Sequence, residues 1–281
     1  MNNREAKLVL VPTPIGNLGD ISKRAIENLT NCDVVYCEDT RVTGKLLSAL
    51  SIKKPLLRMD ENSISEHVQK IINDCKERKL VCFCSDAGMP GISDPGSRIV
   101  EACRNEGVAI EVLPGANACL TALVASGFNT EHFYFEGFLP KKKTQKQNRL
   151  SYLLNMGSPF VVYESPKRMS DTLECVSALA PKRRVCVTKE LTKLYEEVRV
   201  GTSLEVFKDL EDLLLKGEFV IVVDAPSAEE LSDDESVTLT KAKNFAKKQA
   251  ERGIAQSEIR SDLQEFFNVS KNEAYEISLN L

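Results

Sequence analysis

The sequence predicts an α/β protein with two lobes, followed by a small all-helical unit. Three observations lead to this prediction. Short apolar runs alternate with amphipathic helical patterns in the first part of the chain, which is typical of a parallel sheet covered by helices. Longer strand-like runs follow, and the last stretch shows helical spacing alone. A chain of 281 residues is long enough to bury more than one core.

The elements of the first lobe follow from the spacing of apolar residues. Apolar runs predict four strands, and the stripe that begins at Ile64 predicts a helix over 64–78. Asp20 is the predicted N-cap of the first helix, and a small-residue helix at 117–127 joins the two lobes. The predicted strands span 7–11, 33–37, 80–84 and 108–113.

The second lobe has the same kind of signals with longer strand-like runs. Helical patterns at 166–180 and 203–216 lie between apolar runs that predict strands. The predicted strands are 133–135, 160–163, 185–188 and 219–223.

Composition changes set the domain boundaries. The first lobe is assigned to residues 1–116 and the second to 117–225. Residues 226–238 are acidic and Ser-rich, which is the composition of a solvated linker. The remaining residues, 239–281, form the helical unit.

The helical unit contains two predicted caps, Ser257 and Ser270, each at the start of a short helix. Short helices joined by turns indicate a helix-turn-helix-like arrangement. Such a unit serves either packing and dimerisation or contact with nucleic acid, and the sequence leaves both readings open.

Composition excludes several classes of protein. The nine cysteines are scattered through strand and helix patterns, which indicates buried free thiols in a reducing compartment. No C-x-x-C pair occurs and only His67 and His132 are present, so no metal site is predicted. No membrane span or secretory leader is recognisable, and we therefore expect a cytoplasmic protein without a membrane partner.

Three Gly/Pro-rich loops follow predicted strands and precede predicted helices. They cover residues 12–20, 85–96 and 114–118. Loops at the carboxyl ends of parallel strands hold ligands in α/β proteins, so these three could converge on one crevice. No G-x-G-x-x-G occurs, and the Gly91–Gly96 spacing lacks the Lys-Ser/Thr of a phosphate-binding loop. The ligand is therefore predicted to be neither NAD nor a conventionally held nucleoside triphosphate.

Charged residues gather at the ends of predicted strands, at 38–41, 163–168, 189–193 and 216–218. Dense acid–base clusters at these positions favour a functional cleft. With two isolated histidines, any general base is predicted to be a carboxylate or a lysine.

Residues 141–149 carry five positive charges and no acidic residue. One interpretation is a solvated surface. The other is a mobile basic arm that neutralises phosphates, although the net charge of −4 argues against non-specific nucleic-acid binding by the whole surface.

Several of these segments together resemble the bacterial small-subunit ribosomal RNA methyltransferase I family, a branch of the tetrapyrrole methylase superfamily. The resemblance covers about residues 7–225, and the helical tail is similar to that family's C-terminal helix-turn-helix unit. The segments that carry it, in chain order, are VPTPIGNLGDIS from Val11, EDTR from Glu38, SDAGMPGISDPG from Ser85, LPG from Leu113, YFEGFLP from Tyr134, YESP from Tyr163 and KELTK from Lys189.

The resemblance implies a two-lobed tetrapyrrole-methylase-like fold with S-adenosylmethionine held between the lobes. It implies 2′-O-ribose methylation of a cytidine in the decoding region of 16S rRNA, with the 30S subunit as partner. It also implies a homodimer.

The resemblance and the strand-end positions together give three sets of predicted site residues. The candidate catalytic residues are Glu38, Asp39, Glu164 and Lys189, and the sequence does not choose between them. The predicted cofactor-binding residues are Pro14, Ile15, Gly16, Asp86, Gly88, Met89, Pro90, Gly91, Ile92, Asn117, Ala118, Tyr163 and Glu218. The predicted phosphate contacts are Arg41, Lys141, Lys142, Lys143, Lys146, Arg149 and Arg168.

Two other functions compete with this one. A porphyrinoid methylase of the same superfamily is disfavoured by the basic run at 141–149 and by the appended tail, because a porphyrinoid needs neither. A ribosome-assembly factor without catalytic activity is disfavoured by the intact charged clusters.

Overall fold

The computed structural model describes most of the chain, in two compact units at Met1–Ala225 and Pro226–Leu281. The predicted division of the first unit at 116/117 stays a prediction. No helix in the described part of the chain is both long and apolar enough to cross a lipid bilayer. The described residues are 7–59, 64–77, 79–94, 96–212, 216–227, 230, 239, 242–247, 249–251, 253–267 and 269–279.

The first sheet is parallel throughout and has the order β3-β2-β4-β1-β5. Its central strands consist of buried apolar residues, as expected of a parallel sheet with both faces covered. The strands are β1 (Lys7–Leu10), β2 (Val34–Cys37), β3 (Leu56–Arg58), β4 (Leu80–Cys84) and β5 (Ala109–Val112). The helices between them are α1 (Lys23–Asn31), α2 (Thr40–Ala49), α3 (Ile64–Lys76) and α4 (Gly96–Asn105).

This strand order brings the three Gly/Pro-rich loops together. Strands β4, β1 and β5 are neighbours, and each is followed by one of the loops. Because parallel strands end at the same edge of a sheet, the three loops leave from adjacent positions. The crevice predicted from the sequence has its structural basis in this order.

The second sheet has the order β6-β7-β10-β8-β9, in which only the β6–β7 pair is parallel. One face packs against helices α6 to α8, and the opposite face packs against α5. The strands are β6 (Tyr134–Phe138), β7 (Phe160–Glu164), β8 (Arg184–Lys189), β9 (Glu197–Thr202) and β10 (Phe219–Val223). The helices are α5 (Ala118–Ser126), α6 (Lys143–Leu154), α7 (Pro166–Leu179) and α8 (Ser203–Lys208).

The second unit, taken by itself, is helical in its described part, as predicted. Helical residues at 242–247 and 249–251 pack with α9 (Gln256–Phe267) and α10 (Lys271–Leu279). Its core includes Ala242, Ala246, Ile259, Leu263, Ala274 and Ile277.

Ser270 caps α10 as predicted. Its hydroxyl accepts a hydrogen bond from the Glu273 N–H at 3.2 Å, and the Glu273 carboxylate accepts one from the Ser270 N–H at 2.7 Å. The Ser257 prediction is wrong, because α9 begins one residue earlier, at Gln256. The acidic stretch at 226–238 lies largely outside the described residues.

Other local predictions also need correction. Ser22, rather than Asp20, caps α1, since its hydroxyl accepts the hydrogen bond of the Ala25 N–H. Strands β3 and β9 were not predicted: β3 is only three residues long, and in β9 charged residues alternate with the valines. The helix predicted at 203–216 ends as α8 and continues as a short 3-10 turn over Asp209–Asp212.

The basic run at 141–149 is not a mobile arm, because residues 143–149 form the first half of α6. The cysteine prediction is confirmed, since all nine are buried free thiols.

Candidate functional site

The loop after β1 is fixed to the loop after β4 by paired backbone hydrogen bonds. The N–H groups of Thr13 and Gly88 each donate to the carbonyl of the other residue, both at 3.0 Å. The Thr13 hydroxyl also donates to the Ser85 carbonyl at 3.3 Å. These bonds hold the ends of two neighbouring strands as one rigid edge.

Within the β4 loop, glycine conformation and one carboxylate set the shape. Gly88 and Gly91 have φ values of +81° and +93°, a region that side-chain-bearing residues rarely adopt. The Asp94 carboxylate accepts hydrogen bonds from the N–H groups of Gly91, at 2.8 Å, and Gly96, at 2.7 Å. The loop is therefore shaped by its backbone and by its own acidic residue.

A cavity of about 460 Å³ opens beside these loops, between the edges of the two sheets. Its size falls in the range of small-molecule sites. Its walls combine apolar side chains with carboxylates and exposed backbone. The lining residues are Ile15, Glu38, Ser85, Asp86, Ala87, Gly88, Met89, Ile92, Ser93, Asp94, Asn117, Ala118, Phe138, Tyr163, Glu164, Ser165, Pro166, Gly217, Glu218, Phe219 and Val220.

Most of the predicted cofactor-binding residues come together in this cavity. Pro14 and Gly16 instead line a smaller cavity of about 210 Å³ beside it, while Pro90 and Gly91 line neither. The predicted residues that line the larger cavity are Ile15, Asp86, Gly88, Met89, Ile92, Asn117, Ala118, Tyr163 and Glu218.

Gly16 has a packing role that the sequence did not indicate. A Cβ at this position would stand 2.4 Å from the Lys193 Cγ and 2.9 Å from the Leu191 carbonyl oxygen. The β8–β9 connection therefore packs directly on the β1 loop at a point where only glycine fits.

Glu38 and Asp86 are linked at the rim of the cavity. The Glu38 carboxylate accepts a hydrogen bond from the Asp86 N–H, and the Asp86 carboxylate accepts one from the Asp39 N–H, both at 3.0 Å. The end of β2 is therefore fixed to the β4 loop through Asp86, and Glu38 lines the cavity.

Asp39 serves the helix that follows it. Its carboxylate caps α2 by accepting the Arg41 N–H at 2.8 Å, and it also pairs with the Arg41 guanidinium. The hydrogen bonds from Arg41 hold the pKa of Asp39 well below its usual range. Asp39 lines neither cavity and its carboxylate caps α2, and its prediction as a catalytic residue stays a prediction.

Glu164 lines the cavity, yet its own carboxylate is fully buried. It accepts hydrogen bonds from the Thr172 hydroxyl and the Ser165 N–H, both at 2.8 Å, and pairs with the Arg168 guanidinium at 3.2 Å. A carboxylate with this many internal partners holds the start of α7 in position. We assign it a positioning role.

Tyr163 connects the second sheet to α5. Its hydroxyl accepts a hydrogen bond from the Cys119 N–H at 3.2 Å, and burial raises the pKa of Tyr163 to about 12. Its ring packs edge-on against Phe135 and Phe138. Tyr163 therefore forms a neutral aromatic wall of the cavity.

Lys189 lies outside the cavity. Its buried ammonium pairs with the Glu197 carboxylate at 2.8 Å, across the β8–β9 ladder. This pairing gives Lys189 a structural partner, and its prediction as a catalytic residue stays a prediction.

The neighbouring Glu190 has a role that the sequence did not reveal. Its carboxylate accepts the Glu218 N–H at 2.9 Å and pairs with Lys193 at 2.7 Å. It holds Gly217 and Glu218 at the cavity wall, and Gly217 has a φ of +95°. A Cβ at Gly217 would lie 2.4 Å from the Glu190 Oε1. The glycine was therefore the sequence feature that could have indicated this close contact.

In three of the predicted phosphate contacts, the charged group has hydrogen-bond or ion-pair partners within the chain. Lys146 is buried, and its ammonium donates to the Thr172 hydroxyl at 3.5 Å. Arg149 pairs with Glu136 at 2.6 Å, and Arg168 donates to the carbonyls of Leu139 and Pro140. These contacts give the three side chains structural roles, and phosphate binding by them stays a prediction. Lys141, Lys142, Lys143 and Arg41 are exposed.

We expect the Gly88→Ala substitution to weaken binding of S-adenosylmethionine and to cost about 1–2 kcal/mol of folding stability through its positive φ. The added Cβ would stand 3.2 Å from Ile15 at the cavity wall. The matched control is Gly107→Ala, where φ is +70° and no other atom lies within 4 Å. Calorimetric titration and urea unfolding should show equal stability losses but a loss of affinity for Gly88→Ala alone. Equal cofactor affinities of the two variants would contradict the predicted role of the β4 loop in cofactor binding.

Known proteins with similar sequences and folds identify the family. Residues 7–206 match the tetrapyrrole (corrin/porphyrin) methylases. The ribosomal RNA small subunit methyltransferase I of Bacillus subtilis is 40% identical over 271 residues, which is 96% of this chain and 92% of that protein.

Among solved structures, diphthine synthase aligns with a TM-score of 0.63 at 16% identity, covering 78% of this chain and 89% of its own. Uroporphyrin-III C-methyltransferase from Thermus thermophilus, complexed with S-adenosyl homocysteine, has a TM-score of 0.54 at 17% identity and covers 77% and 96%. The predicted fold class, and S-adenosylmethionine as the cofactor, are confirmed. The chain belongs to the ribosomal RNA small subunit methyltransferase I family of the tetrapyrrole methylases.

Proposed function

We propose that this chain methylates the RNA of the small ribosomal subunit, at the 2′-oxygen of a cytidine ribose in the decoding region of 16S rRNA. The observation that carries the proposal is its similarity, over almost the whole chain, to a protein named as a ribosomal RNA small subunit methyltransferase; the finer target follows the family resemblance of the sequence motifs. The partner is then the 30S subunit or its RNA. A ribosomal substrate also implies action in the cytoplasm.

The larger cavity has the chemistry that S-adenosylmethionine requires. This cofactor carries a sulfonium and an ammonium charge, and carboxylates of Glu38, Asp86 and Glu218 surround the cavity. Apolar walls from Ile15, Met89 and other residues suit the uncharged part of the molecule. The residues present therefore fit the cofactor, and we propose that they hold it.

We propose that Glu38 is the general base. When bound, the cofactor supplies an electrophilic methyl group, which the ribose oxygen accepts while its own proton leaves. Of the four candidates, only Glu38 and Glu164 line the cavity, and the buried Glu164 carboxylate already has three internal partners. The Asp86 N–H holds one oxygen of Glu38 and so orients its carboxylate at the rim.

The Glu38→Gln variant tests this assignment. We expect kcat for methyl transfer to fall by about 10²–10⁴-fold, because the amide can still accept the Asp86 N–H but cannot take a proton. The assay measures transfer of labelled methyl to 30S subunits from cells that lack this protein, followed by mass-spectrometric mapping of the nucleotide. Asp39→Asn is the control, since asparagine preserves the helix cap.

Three outcomes would decide against parts of the proposal. Full activity of Glu38→Gln would remove Glu38 as the base. Transfer to another nucleotide position would contradict the 2′-oxygen assignment. If the wild-type protein bound the cofactor but methylated neither 30S subunits nor free rRNA, a porphyrinoid substrate or a non-catalytic assembly role would replace rRNA methylation.

We propose that Lys141, Lys142 and Lys143 contact RNA phosphates. They are exposed at the start of α6, in contrast to the other cations of this run. Each phosphate contact with single-stranded RNA contributes about 0.7 to the slope of log affinity against log salt.

Replacing these three lysines by alanine should therefore reduce that slope by about 2. RNA binding measured between low and high salt checks this, with the exposed Lys53, Lys70 and Lys208 replaced together as the control. An unchanged slope would favour the solvated-surface interpretation.

We propose that a second copy of the chain covers the outer face of α5 and β9. Leu120 and Val124 are exposed on α5, while Val198 and Val200 are exposed on β9. Val200 lies opposite Cys186, which packs against α5, so both valines lie on the side of the sheet that α5 covers. An apolar surface that combines a helix and an edge strand is typical of a protein interface.

The double variant Val124→Asp, Val200→Asp should be monomeric by size-exclusion chromatography with light scattering. Leu204→Asp, on α8 against the opposite face of the sheet, should leave the mass of the particle unchanged. A monomeric wild type would exclude the dimer, and a double variant that stays dimeric would exclude this face.

A further inference from the structure

The smaller cavity is continuous with the rim of the larger one. Ser85 and Asp86 line both. Its remaining walls come from the β1 loop and from α2, which supplies Val42, Thr43 and Leu46. Pro14 and Gly16, predicted as cofactor-binding residues, line this space, but most of that predicted set gathers in the larger cavity.

The cavity wall is apolar and partly open to solvent. Leu18 and Val42 are 42% and 41% exposed, and Leu46 is half-buried. Exposed large apolar side chains around a concave opening favour a flat, partly apolar ligand. A nucleic-acid base has that character.

Thr43 carries a polar group that folding does not use. The residue is only 2% exposed, and its hydroxyl has no hydrogen-bond partner in the described structure apart from a weak contact with the Cys37 thiol. A buried hydroxyl whose sole contact is a thiol, a weak hydrogen-bonding group, is poorly satisfied. A ligand with a polar edge would satisfy it.

Two cations stand beside the cavity, one of which, Arg41, also pairs with the Asp39 carboxylate. Arg41 is 85% exposed, and Lys45, one turn further along α2, is exposed as well. The two residues lie next to the lining residues Val42 and Leu46 in the sequence of this helix. Phosphates on either side of a bound nucleoside would meet these cations.

We propose that the smaller cavity receives the nucleoside that accepts the methyl group, with its base turned out of the RNA stack. The base would lie against Leu18 and Val42, and its polar edge would meet the Thr43 hydroxyl. The ribose would then lie at Asp86, between the two cavities and beside Glu38. Enzymes that act on single nucleotides commonly take them out of the stack in this way. This inference rests on the proposed rRNA methylation.

Two variants test the site, each with the cofactor affinity measured in parallel. Thr43→Val keeps the shape and removes the hydroxyl. We expect KM for 30S subunits to rise about 3- to 10-fold, while cofactor affinity is unchanged and urea unfolding shows equal or greater stability. A purely structural hydroxyl would instead affect stability and leave KM unchanged.

Val42→Trp fills the cavity opening. We expect kcat/KM for 30S methylation to fall at least about tenfold with cofactor affinity unchanged. Leu204→Trp is the control, because Leu204 is 40% exposed on α8, against the other sheet.

The outcomes separate this inference from the proposed function. If the wild type methylates 30S subunits and both variants retain kcat/KM within about twofold of it, the nucleoside site is overturned while rRNA methylation stands. If the wild type methylates neither 30S subunits nor rRNA, both fall together.

Discussion

The paired hydrogen bonds between Thr13 and Gly88 are the contact on which the rest of the site depends. They join the loops of two adjacent parallel strands, and every other part of the site is placed relative to that edge. The β4 loop in turn holds the end of β2 through Asp86. The β8–β9 connection packs on the β1 loop at Gly16 and carries Glu190 against Gly217. Elements that are distant in sequence are thus positioned around one short backbone bridge, the Thr13–Gly88 pair of hydrogen bonds.

A buried network of charged and polar residues fixes the cavity wall that the second sheet supplies. The Glu164 carboxylate pairs with Arg168 and accepts a hydrogen bond from the Thr172 hydroxyl, which in turn accepts one from the Lys146 ammonium. Arg168 also donates hydrogen bonds to the carbonyls of Leu139 and Pro140, just after β6. A buried carboxylate is tolerated only when it is paired and hydrogen-bonded, and this network meets that condition. The network therefore serves the geometry of the cavity, and the Glu164 carboxylate is taken up by its internal partners.

The sequence predicted the loops better than the roles of charged residues. Glycines and prolines report directly on backbone conformation, so the three loops and most of the cavity lining could be read from the chain. The different roles of Glu38 and Asp39 could not be read from the chain, because they depend on which carboxylate Arg41 contacts in three dimensions. Likewise, the burial of Lys146 depends on how α6 packs against α7, while the run 141–149 reads locally as uniformly basic. Strand β9 escaped prediction because an edge strand with alternating charges resembles a loop.

The backbone bridge also bears on how such a site can diverge. The shape of the β4 loop comes from main-chain bonds, positive φ values at Gly88 and Gly91, and the Asp94 carboxylate. The side chains of Met89 and Ile92 line the cavity without contributing to any of these. Mutational drift at 89 and 92 can therefore alter what the cavity accepts without moving the frame. Drift at 88, 91 and 94 would dismantle the frame itself. The fit of the larger cavity to its ligand is thus open to single amino-acid changes at two positions that form none of the bonds of the frame.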